Sequence, residues 1–415
     1  MEYGLIGERL GHSFSKTIHE EFGFYGYDLK EIPRDELDEF MIKREFKGIN
    51  VTIPYKEDVC RHLDFIDEKA KAIGAVNTVV KKDGKLFGYN TDYFGLKNLL
   101  AENGFDLKDK KVLILGTGGT SKTAYEVCKD ASARLIVKVS RSKRDGVVTY
   151  EEAYSEHFDA NYIINTTPCG MYPNIDASPI ELSAFTKLEG VADVIYNPGR
   201  TRLVLEAQKR GIKACSGLKM LIYQAVAACG FFTSNKADEG KIEEIYNKLF
   251  DANNNIVLTG MPGSGKSTIG RLLSERLGKT FVDTDELISK KEKREISEIF
   301  ATDGEKYFRE VEKEIIKEIA SVKNSVVSTG GGVILNEENV KNLKANGTVY
   351  FLDRNVEELI PTDDRPLADK KEKIMKLYEE RLPIYNSTCD VKINVAGGVE
   401  ETLNEILNIH NGSRK

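Results

Sequence analysis

Apolar and polar positions follow two different periodicities along the first hundred residues. The short segments "YGLIG", "YDLKEI" and "GINVTI" predict strands, whereas "RDELDEFMIKREF" has the spacing of an amphipathic helix. In "VNTVVKKDGKLFGYNTD" the turn pair Asp83-Gly84 separates two β-rich runs, which predicts a hairpin. Together these segments predict a small α/β domain.

At Lys111 the pattern changes to a continuous apolar strand, a glycine turn and a helix, in "KKVLILGTGGTSKTAYEVC", and a second strand "RLIVKVS" follows. This order predicts a dinucleotide-binding βαβ unit, because glycines let the pyrophosphate approach the helix N-terminus. Gly116, Gly118 and Gly119 would form the turn, although Ser121 stands at the third glycine position. A glycine turn is also an ordinary structural device, but the strand-turn-helix-strand order favours a nucleotide site.

The remaining chain repeats this type of pattern. Strands are predicted at "ANYIINTT" and "VADVIYN", and a long helical pattern starts near Ser216. After the polar segment "DANNN" a strand leads into "GMPGSGKS", which matches the G-x-x-x-x-G-K-[ST] loop that holds nucleotide phosphates with backbone N–H groups. The predicted phosphate-binding residues are Gly263, Ser264, Gly265, Lys266, Ser267 and Thr268.

A chain of 415 residues is too long for one ordinary core. We predict an α/β protein with a substrate domain at 1–105, onto which helices of 216–250 pack back, and a Rossmann domain at 106–250. A linker at 251–255 then leads to a P-loop domain at 256–415, with a parallel sheet of the nucleoside monophosphate kinase type.

The composition limits the classes of binding partner that the chain can have. With 60 Lys and Arg against 66 Asp and Glu, the net charge of −6 gives no basic footprint for nucleic acid or an anionic membrane. No leader pattern or long apolar run is evident, and the six cysteines form no C-x-x-C pair. We expect a cytoplasmic protein with small-molecule partners, and a homo-oligomer stays open.

The end of the second Rossmann strand indicates the cofactor. NAD-specific folds usually place an acidic residue there, whereas this chain has Ser140, Arg141, Ser142 and Lys143. Basic residues favour the 2′-phosphate of NADP, and the alternative is a solvated basic turn.

Residues 1–250 resemble the shikimate dehydrogenase family through "GHSFSKTIHEEF", "NVTIPYK", "GAVNTVV…GYNTDYFG" and "DVIYNP…G…SGLKMLIYQA". The resemblance implies that Lys56 and Asp92 are the catalytic pair of an NADPH-dependent reductase. The substrate-binding residues it implies are Ser13, Ser15, Thr52, Asn77, Asp92, Gln224 and Tyr196. Gly217 and Met220 would lie near the nicotinamide, although a methionine on a helix is more often a core residue.

Residues 255–415 resemble shikimate kinase through "FVDTDEL", "FATDGEKYFREVE", "VVSTGGGVIL", "DDRPLAD" and "LYEERLPIY". The resemblance assigns Lys266 to the β- and γ-phosphates, Ser267 and Asp283 to Mg²⁺, and Arg365 to a lid over ATP. The implied acceptor-binding residues are Asp285, Arg309, Gly331 and Arg381. The alternatives are that Asp283 and Asp285 belong to a helix cap and that Arg309 forms a helix-face ion pair.

The two resemblances imply consecutive reactions, reduction of 3-dehydroshikimate to shikimate and then phosphorylation of shikimate by ATP. Two departures leave alternatives open. Lys16 replaces the family's proline, which leaves an NAD-linked quinate or shikimate dehydrogenase open, and "NVEELIPTDD" is short and acidic for a kinase lid. One half could also be a non-catalytic binding or regulatory module.

Overall fold

The computed structural model describes residues 1–11, 13–235, 237–359 and 370–412. These residues form two compact units. The first contains Met1–Tyr196 and Thr201–Tyr246, and the second contains Asn197–Arg200 and the described residues from Asn247 onward. Within the described part of the chain, no helix has the length and apolar character that a membrane crossing requires.

The first sheet of unit 1 is mixed, with the strand order β2-β1-β3-β5-β6-β4. Its strands are β1 Tyr3–Gly7, β2 Asp28–Glu31, β3 Gly48–Val51, β4 Phe65–Ile66, β5 Thr78–Lys82 and β6 Lys85–Tyr89. Its helices are α1 Ser15–Glu21, α2 Leu37–Lys43, α3 Glu68–Ile73 and α4 Thr91–Glu102. Strands β5 and β6 form the predicted hairpin, and Asp83 and Gly84 have φ of 50° and 74°, the left-handed pair that a tight hairpin turn requires.

The second sheet is parallel throughout and has the order β12-β11-β10-β7-β8-β9. Its strands are β7 Lys111–Leu115, β8 Leu135–Ser140, β9 Val147–Thr149, β10 Tyr162–Asn165, β11 Gly190–Asp193 and β12 Lys213–Cys215. Its helices are α5 Gly119–Asp130, α6 Tyr150–Glu156 and α7 Arg202–Lys209. The order reverses between β7 and β10, and a doubly wound sheet binds its ligand outside the strand ends at such a point.

Two further helices follow, α8 Leu218–Thr233 and α9 Glu239–Asn253. Helix α8 packs against α1, α4 and β5. Phe232 of α8 lies in a core cluster with Leu5 and Val80 of the first sheet. Helix α8 thereby positions residues of its own, including Gln224, beside the first sheet.

The second unit is built on a parallel sheet with the order β14-β15-β13-β16-β17. Its strands are β13 Asn255–Thr259, β14 Thr280–Asp283, β15 Ser325–Ser328, β16 Gly347–Asp353 and β17 Val391–Asn394. Its helices are α10 Lys266–Leu277, α11 Thr284–Glu292, α12 Ile296–Thr302, α13 Gly304–Ile319, α14 Glu337–Ala345, α15 Lys371–Thr388 and α16 Val399–Gly412. The predicted α/β fold class is confirmed.

The segment predicted as a linker, residues 251–255, has regular structure instead. Asp251 and Asn253 belong to α9, and Asn255 starts β13. The polar side chains that suggested a linker form hydrogen bonds within this structure. Asn253 donates to the carbonyl of Leu249 at 2.7 Å, and Asn255 accepts from the backbone N–H of Ser325 at 2.9 Å.

Candidate active sites

A pocket of unit 1 brings together residues of the four predicted motifs. Its polar lining contains Ser13, Ser15, Asn50, Thr52, Lys56, Asn77, Asp92, Tyr196 and Gln224. The Lys56 ammonium donates to Asp92 Oδ2 at 2.6 Å, and the exposed fractions of the two side chains are 25% and 11%. This half-buried pair points to more than an exposed surface ion pair, since it lies in a cleft among other polar groups.

The hairpin and helix α4 place the acidic partner. Asn90 ends the hairpin and caps α4 by accepting from the backbone N–H of Tyr93 at 3.3 Å. Asp92 therefore lies in the first helical turn, where the helix dipole favours a negative charge.

Neighbouring groups fix the orientation of the Asn77 amide. Its oxygen accepts from the backbone N–H of Thr91 at 2.7 Å and is also within 3.1 Å of the Thr91 hydroxyl. Because a backbone N–H can only donate, the amide oxygen must face Thr91. The amide nitrogen then faces Gln224, 3.5 Å from its Oε1, and can donate to a ligand oxygen.

The serine motif lies at the start of α1. The backbone N–H of Ser15 donates to Ser13 Oγ at 3.2 Å, so both serines lie at the same corner of the pocket. The unusual Lys16 does not line this pocket. Its ammonium donates to the carbonyl of Tyr27 at 2.7 Å and pairs with Glu20 at 2.9 Å.

Asn50 is a pocket residue that the sequence analysis missed. Its Oδ1 accepts from the Tyr27 hydroxyl at 2.6 Å, and its Nδ2 donates to Thr78 Oγ1 at 2.9 Å. Asn50 is two residues before Thr52, so the alternation of side chains across an extended segment places both on the same side. That period of two was the available signal.

The glycine turn after β7 leaves room for a dinucleotide. Gly116 has φ of 108°, and a Cβ there would lie 2.9 Å from Thr166 Oγ1. An added Cβ at Gly118 or Gly119 would meet no described atom within 4 Å, so the approach to the start of α5 is open. These features fit the pyrophosphate of NADP, whose charge the helix N-terminus favours.

The residues predicted to face the rest of the cofactor have different surroundings. Arg141 is exposed and forms no ion pair with any described residue, whereas Lys143 pairs with Glu152. The Ser140 hydroxyl accepts from the backbone N–H of Ser142 at 3.4 Å. Of the four residues predicted here, Arg141 is thus the one most available to a 2′-phosphate.

Gly217 and Met220 lie at the start of α8. A Cβ at Gly217 would lie 2.0 Å from the carbonyl oxygen of Val194, so only glycine allows this close backbone approach. Met220 is 8% exposed and belongs to the core cluster between α4 and the second sheet. Its surroundings are those of a packing residue.

In unit 2, the phosphate loop between β13 and α10 has the backbone its motif requires. Gly263 and Gly265 have φ of 83° and 93°, which favours glycine. The Lys266 ammonium donates to the carbonyls of Gly260 and Met261 at 3.0 and 2.9 Å. The buried Ser264 hydroxyl has no hydrogen-bond partner among the described residues, which fits a loop built to hold phosphate oxygens.

The predicted magnesium residues, Ser267 in the first turn of α10 and Asp283 at the end of β14, are in contact, and the exposed Thr268 follows Ser267. The Ser267 hydroxyl donates to Asp283 Oδ2 at 2.7 Å and is 3.2 Å from the hydroxyl of Ser328. Asp283 also caps α11, because its Oδ1 accepts from the backbone N–H of Asp285 at 3.0 Å. Asp283 is therefore a helix cap, as the alternative predicted. Its second oxygen, beside the Ser267 hydroxyl, is also in a position suited to Mg²⁺, which takes oxygen ligands.

The three glycines after β15 make room for the predicted acceptor-binding groups. A Cβ at Gly330 would lie 2.8 Å from Asp285 Oδ1, and one at Gly332 would lie 2.2 Å from an Arg309 nitrogen. The carbonyl of Gly331 accepts from Arg381 at 3.1 Å and from Tyr385 at 2.5 Å. Asp285, Arg309, Arg381 and the glycines line one pocket.

Glu312 is a second group that the sequence analysis missed. It lies one turn after Arg309 on α13 and is 1% exposed. Burial raises the pKa of its carboxyl to about 7, against the opposing effect of Arg309. The spacing of three residues in "REVE" was the signal, since residues i and i+3 share a helix face. Arg365 and most of the predicted lid fall outside the described residues.

The first unit has the sheet and glycine turn of a dinucleotide-dependent oxidoreductase, and the second has the loop and acceptor pocket of a P-loop phosphotransferase. The family model "Shikimate dehydrogenase substrate binding domain" matches residues 5–79, and the model "Shikimate kinase" matches residues 262–410. The NADP(+) shikimate dehydrogenase of Clostridium perfringens is 38% identical over 264 residues, which cover 60% of this chain and 97% of that protein. The chain therefore belongs to the shikimate dehydrogenase family over its N-terminal part and carries a shikimate kinase domain after it.

Two solved structures are similar to the N-terminal part. The chorismate mutase/shikimate 5-dehydrogenase fusion of Clostridium acetobutylicum has 37% identity and a TM-score of 0.56, over 60% of this chain and 96% of its own. The Thermus thermophilus shikimate 5-dehydrogenase, in complex with NADP(H) and shikimate, has 29% identity and a TM-score of 0.54, over 60% and 99%. The predicted enzyme classes, together with NADP, ATP and Mg²⁺ as cofactors, are confirmed, and the chain is a bifunctional shikimate pathway enzyme.

Proposed function

We propose that unit 1 reduces 3-dehydroshikimate to shikimate with NADPH, and that unit 2 then transfers the γ-phosphoryl of ATP to the 3-hydroxyl of shikimate. The Lys56–Asp92 pair carries the proposal, because it lies in a pocket among the serine, threonine and amide groups that a polyhydroxylated acid requires. We assign residues 1–105 and 216–250 to substrate binding, the rest of 106–250 to NADP, and 256–415 to the kinase.

In the reductase pocket, the nicotinamide supplies the hydride when the cofactor is bound. The ketone oxygen gains negative charge as the hydride arrives, and the Lys56 ammonium stabilises that charge and gives up a proton. Asp92, hydrogen-bonded to Lys56 at 2.6 Å, orients the ammonium and accepts from a substrate hydroxyl. Ser13 and Ser15 bind the carboxylate, and Asn77 donates to a ring oxygen.

In the kinase pocket, the charges divide the work. Lys266 binds the transferred phosphate, while Ser267 and Asp283 hold Mg²⁺. Asp285 orients the attacking hydroxyl of shikimate, and the planar forks of Arg309 and Arg381 hold its carboxylate. The product of the first pocket thus has the groups that the second pocket binds, and the scattered free cysteines suit a cytoplasmic enzyme.

The alternative of an NAD-linked quinate dehydrogenase gains no support from Lys16. Its ammonium is held by the Tyr27 carbonyl and Glu20, so it adds no cation to the pocket. The exposed Arg141 favours the 2′-phosphate of NADP instead.

The test supplies 3-dehydroshikimate, NADPH, ATP and Mg²⁺ to the whole chain, and follows NADPH absorbance and shikimate 3-phosphate formation together. We expect both reactions in the wild type. Lys56→Ala should reduce NADPH consumption at least about a hundredfold, the usual effect of removing a general acid, and should leave phosphorylation of added shikimate intact. Lys266→Ala should remove only the phosphorylation.

Other outcomes contradict parts of the proposal. A wild-type chain that consumes NADH but not NADPH would overturn the biosynthetic assignment. NADPH consumption without phosphorylation of added shikimate would mean that the kinase unit is a non-catalytic module.

A further inference from the structure

The guanidinium of Arg309 is bound on two sides by carboxylates of its own helix. Glu305 Oε1 accepts from Nε at 3.3 Å and from Nη2 at 2.9 Å, and the two oxygens of Glu312 lie 3.2 and 3.0 Å from Nη1. A planar anion binds a guanidinium best through two parallel N–H donors. Each edge of the guanidinium that offers two such donors already has at least one of them bound to Glu305 or Glu312.

The two carboxylates differ in how readily they can leave. The Glu312 side chain is 1% exposed and is enclosed next to Gly330 and Asp285, whereas the Glu305 side chain is 46% exposed and reaches Arg309 from the first turn of α13. A carboxylate that returns to water loses little, because an exposed ion pair is worth only a few tenths to about 1 kcal/mol. Glu305 is therefore the group that an incoming anion can displace.

We propose that Glu305 is an internal competitor for the acceptor carboxylate, occupying the Nε and Nη2 edge of Arg309 until the acceptor replaces it. This inference rests on the proposed function, in which Arg309 binds the carboxylate of shikimate. Binding then exchanges one carboxylate for another, and Glu305 lowers the affinity for acceptors that carry a carboxylate. An acceptor without a carboxylate does not compete with Glu305 for this edge of Arg309.

Such a competitor acts on KM rather than on the chemical step. Glu305 does not contact the transferred phosphate or the attacking hydroxyl in this arrangement, so its removal changes substrate binding uniformly. If Glu305 and Arg309 formed only a structural ion pair on the helix face, removal of Glu305 would change the KM for a charged and for an uncharged acceptor equally.

The test measures ADP formation by the full chain at saturating ATP without nicotinamide, with shikimate or its methyl ester as acceptor. We expect Glu305→Gln to lower the KM for shikimate about two- to fivefold, the factor that an exposed ion pair contributes, with kcat unchanged. The KM for the methyl ester should stay the same. Glu305→Ala should act in the same direction.

Glu310→Gln is the matched control. Glu310 lies on the same helix, is exposed and forms no ion pair with any described residue, so this variant removes the same charge without changing the contacts of Arg309. An unchanged or raised KM for shikimate in Glu305→Gln overturns the inference, as does an equal decrease in Glu310→Gln or with the methyl ester. A wild-type chain that forms no ADP with shikimate would instead refute the proposed function.

Discussion

At the scale of single residues, Asp193 is a buried carboxylate that ties together the loops at the end of the Rossmann sheet. Its Oδ1 accepts from Asn165 Nδ2 at 3.0 Å and from the backbone N–H of Ile195 at 3.1 Å, and its Oδ2 accepts from the Thr201 hydroxyl at 2.7 Å. Burial raises the pKa of Asp193 from 3.8 to about 6, although these three hydrogen bonds act in the opposite direction. Desolvation is thus the larger effect.

The raised pKa predicts a pH-dependent stability. Because the folded state binds the proton of Asp193 more tightly, its contribution to the free energy of unfolding is fully present below pH 3.8 and is lost as the pH rises through about 6. The total loss is about 3 kcal/mol. Asp193→Asn should lack this component, since an amide can keep the Oδ1 contacts and donate to Thr201 instead.

Calorimetric unfolding of both proteins between pH 4.5 and 7.5 measures this difference, and the transition that NADP⁺ shifts upward identifies unit 1. We expect the wild type to lose stability relative to Asp193→Asn as the pH rises, and the difference to level off above about pH 6. Parallel pH profiles would show that Asp193 does not titrate in this range.

At the scale of elements, the start of α8 is packed against the loop that follows β11. The backbone N–H of Gly217 donates to the carbonyl of Ile195 at 2.9 Å, and an added Cβ would lie 2.0 Å from the carbonyl oxygen of Val194. A backbone atom cannot move aside as a flexible side chain can. The approach of these two segments therefore depends on the glycine.

Gly217→Ala should force the start of α8 away from this loop and lower the stability of unit 1 by about 1–3 kcal/mol or more, the range for overpacked sites. Because α8 also carries Gln224 into the pocket of unit 1, the KM of the dehydrogenase reaction for shikimate should rise. Thermal unfolding and dehydrogenase kinetics measure both effects. Gly26→Ala is the control, since an added Cβ there meets no described atom within 4 Å, and equal behaviour of the two variants would contradict the packing argument.

The sequence predicted elements well where local pattern decides the structure. The hairpin at Asp83-Gly84, the strand-turn-helix unit from Lys111 and the phosphate loop were all confirmed, because each depends on nearby glycines and periodicity. The interpretation of 251–255 as a linker was wrong, because its asparagines bond to residues far away in the chain. Asn50 and Glu312 share a face of an extended segment or of a helix with the predicted residues Thr52 and Arg309, but only the folded structure shows that each face lines a pocket.

At the scale of the whole molecule, our proposal places the metal requirement in unit 2. The oxygen groups suited to Mg²⁺, on Ser267 and Asp283, lie in unit 2. In our proposal, none of the described residues that line the pocket of unit 1 binds a metal ion. Phosphoryl transfer needs the cation to neutralise the phosphate charges, whereas the hydride transfer proposed beside the Lys56–Asp92 pair does not.

Removal of divalent cations from the full chain with excess EDTA should therefore abolish ADP formation from ATP and shikimate, by at least about a hundredfold, and leave NADPH-dependent reduction of 3-dehydroshikimate within about twofold. Both rates are measured on the same sample, before and after chelation, and Mg²⁺ added in excess of the EDTA should restore the kinase rate. Ca²⁺ is an informative comparison, because it accepts longer and more irregular oxygen coordination than Mg²⁺ and should restore that rate poorly. A parallel loss of the reductase rate would show that the cation supports unit 1 as well, and the assignment of the metal requirement to unit 2 alone would then be wrong.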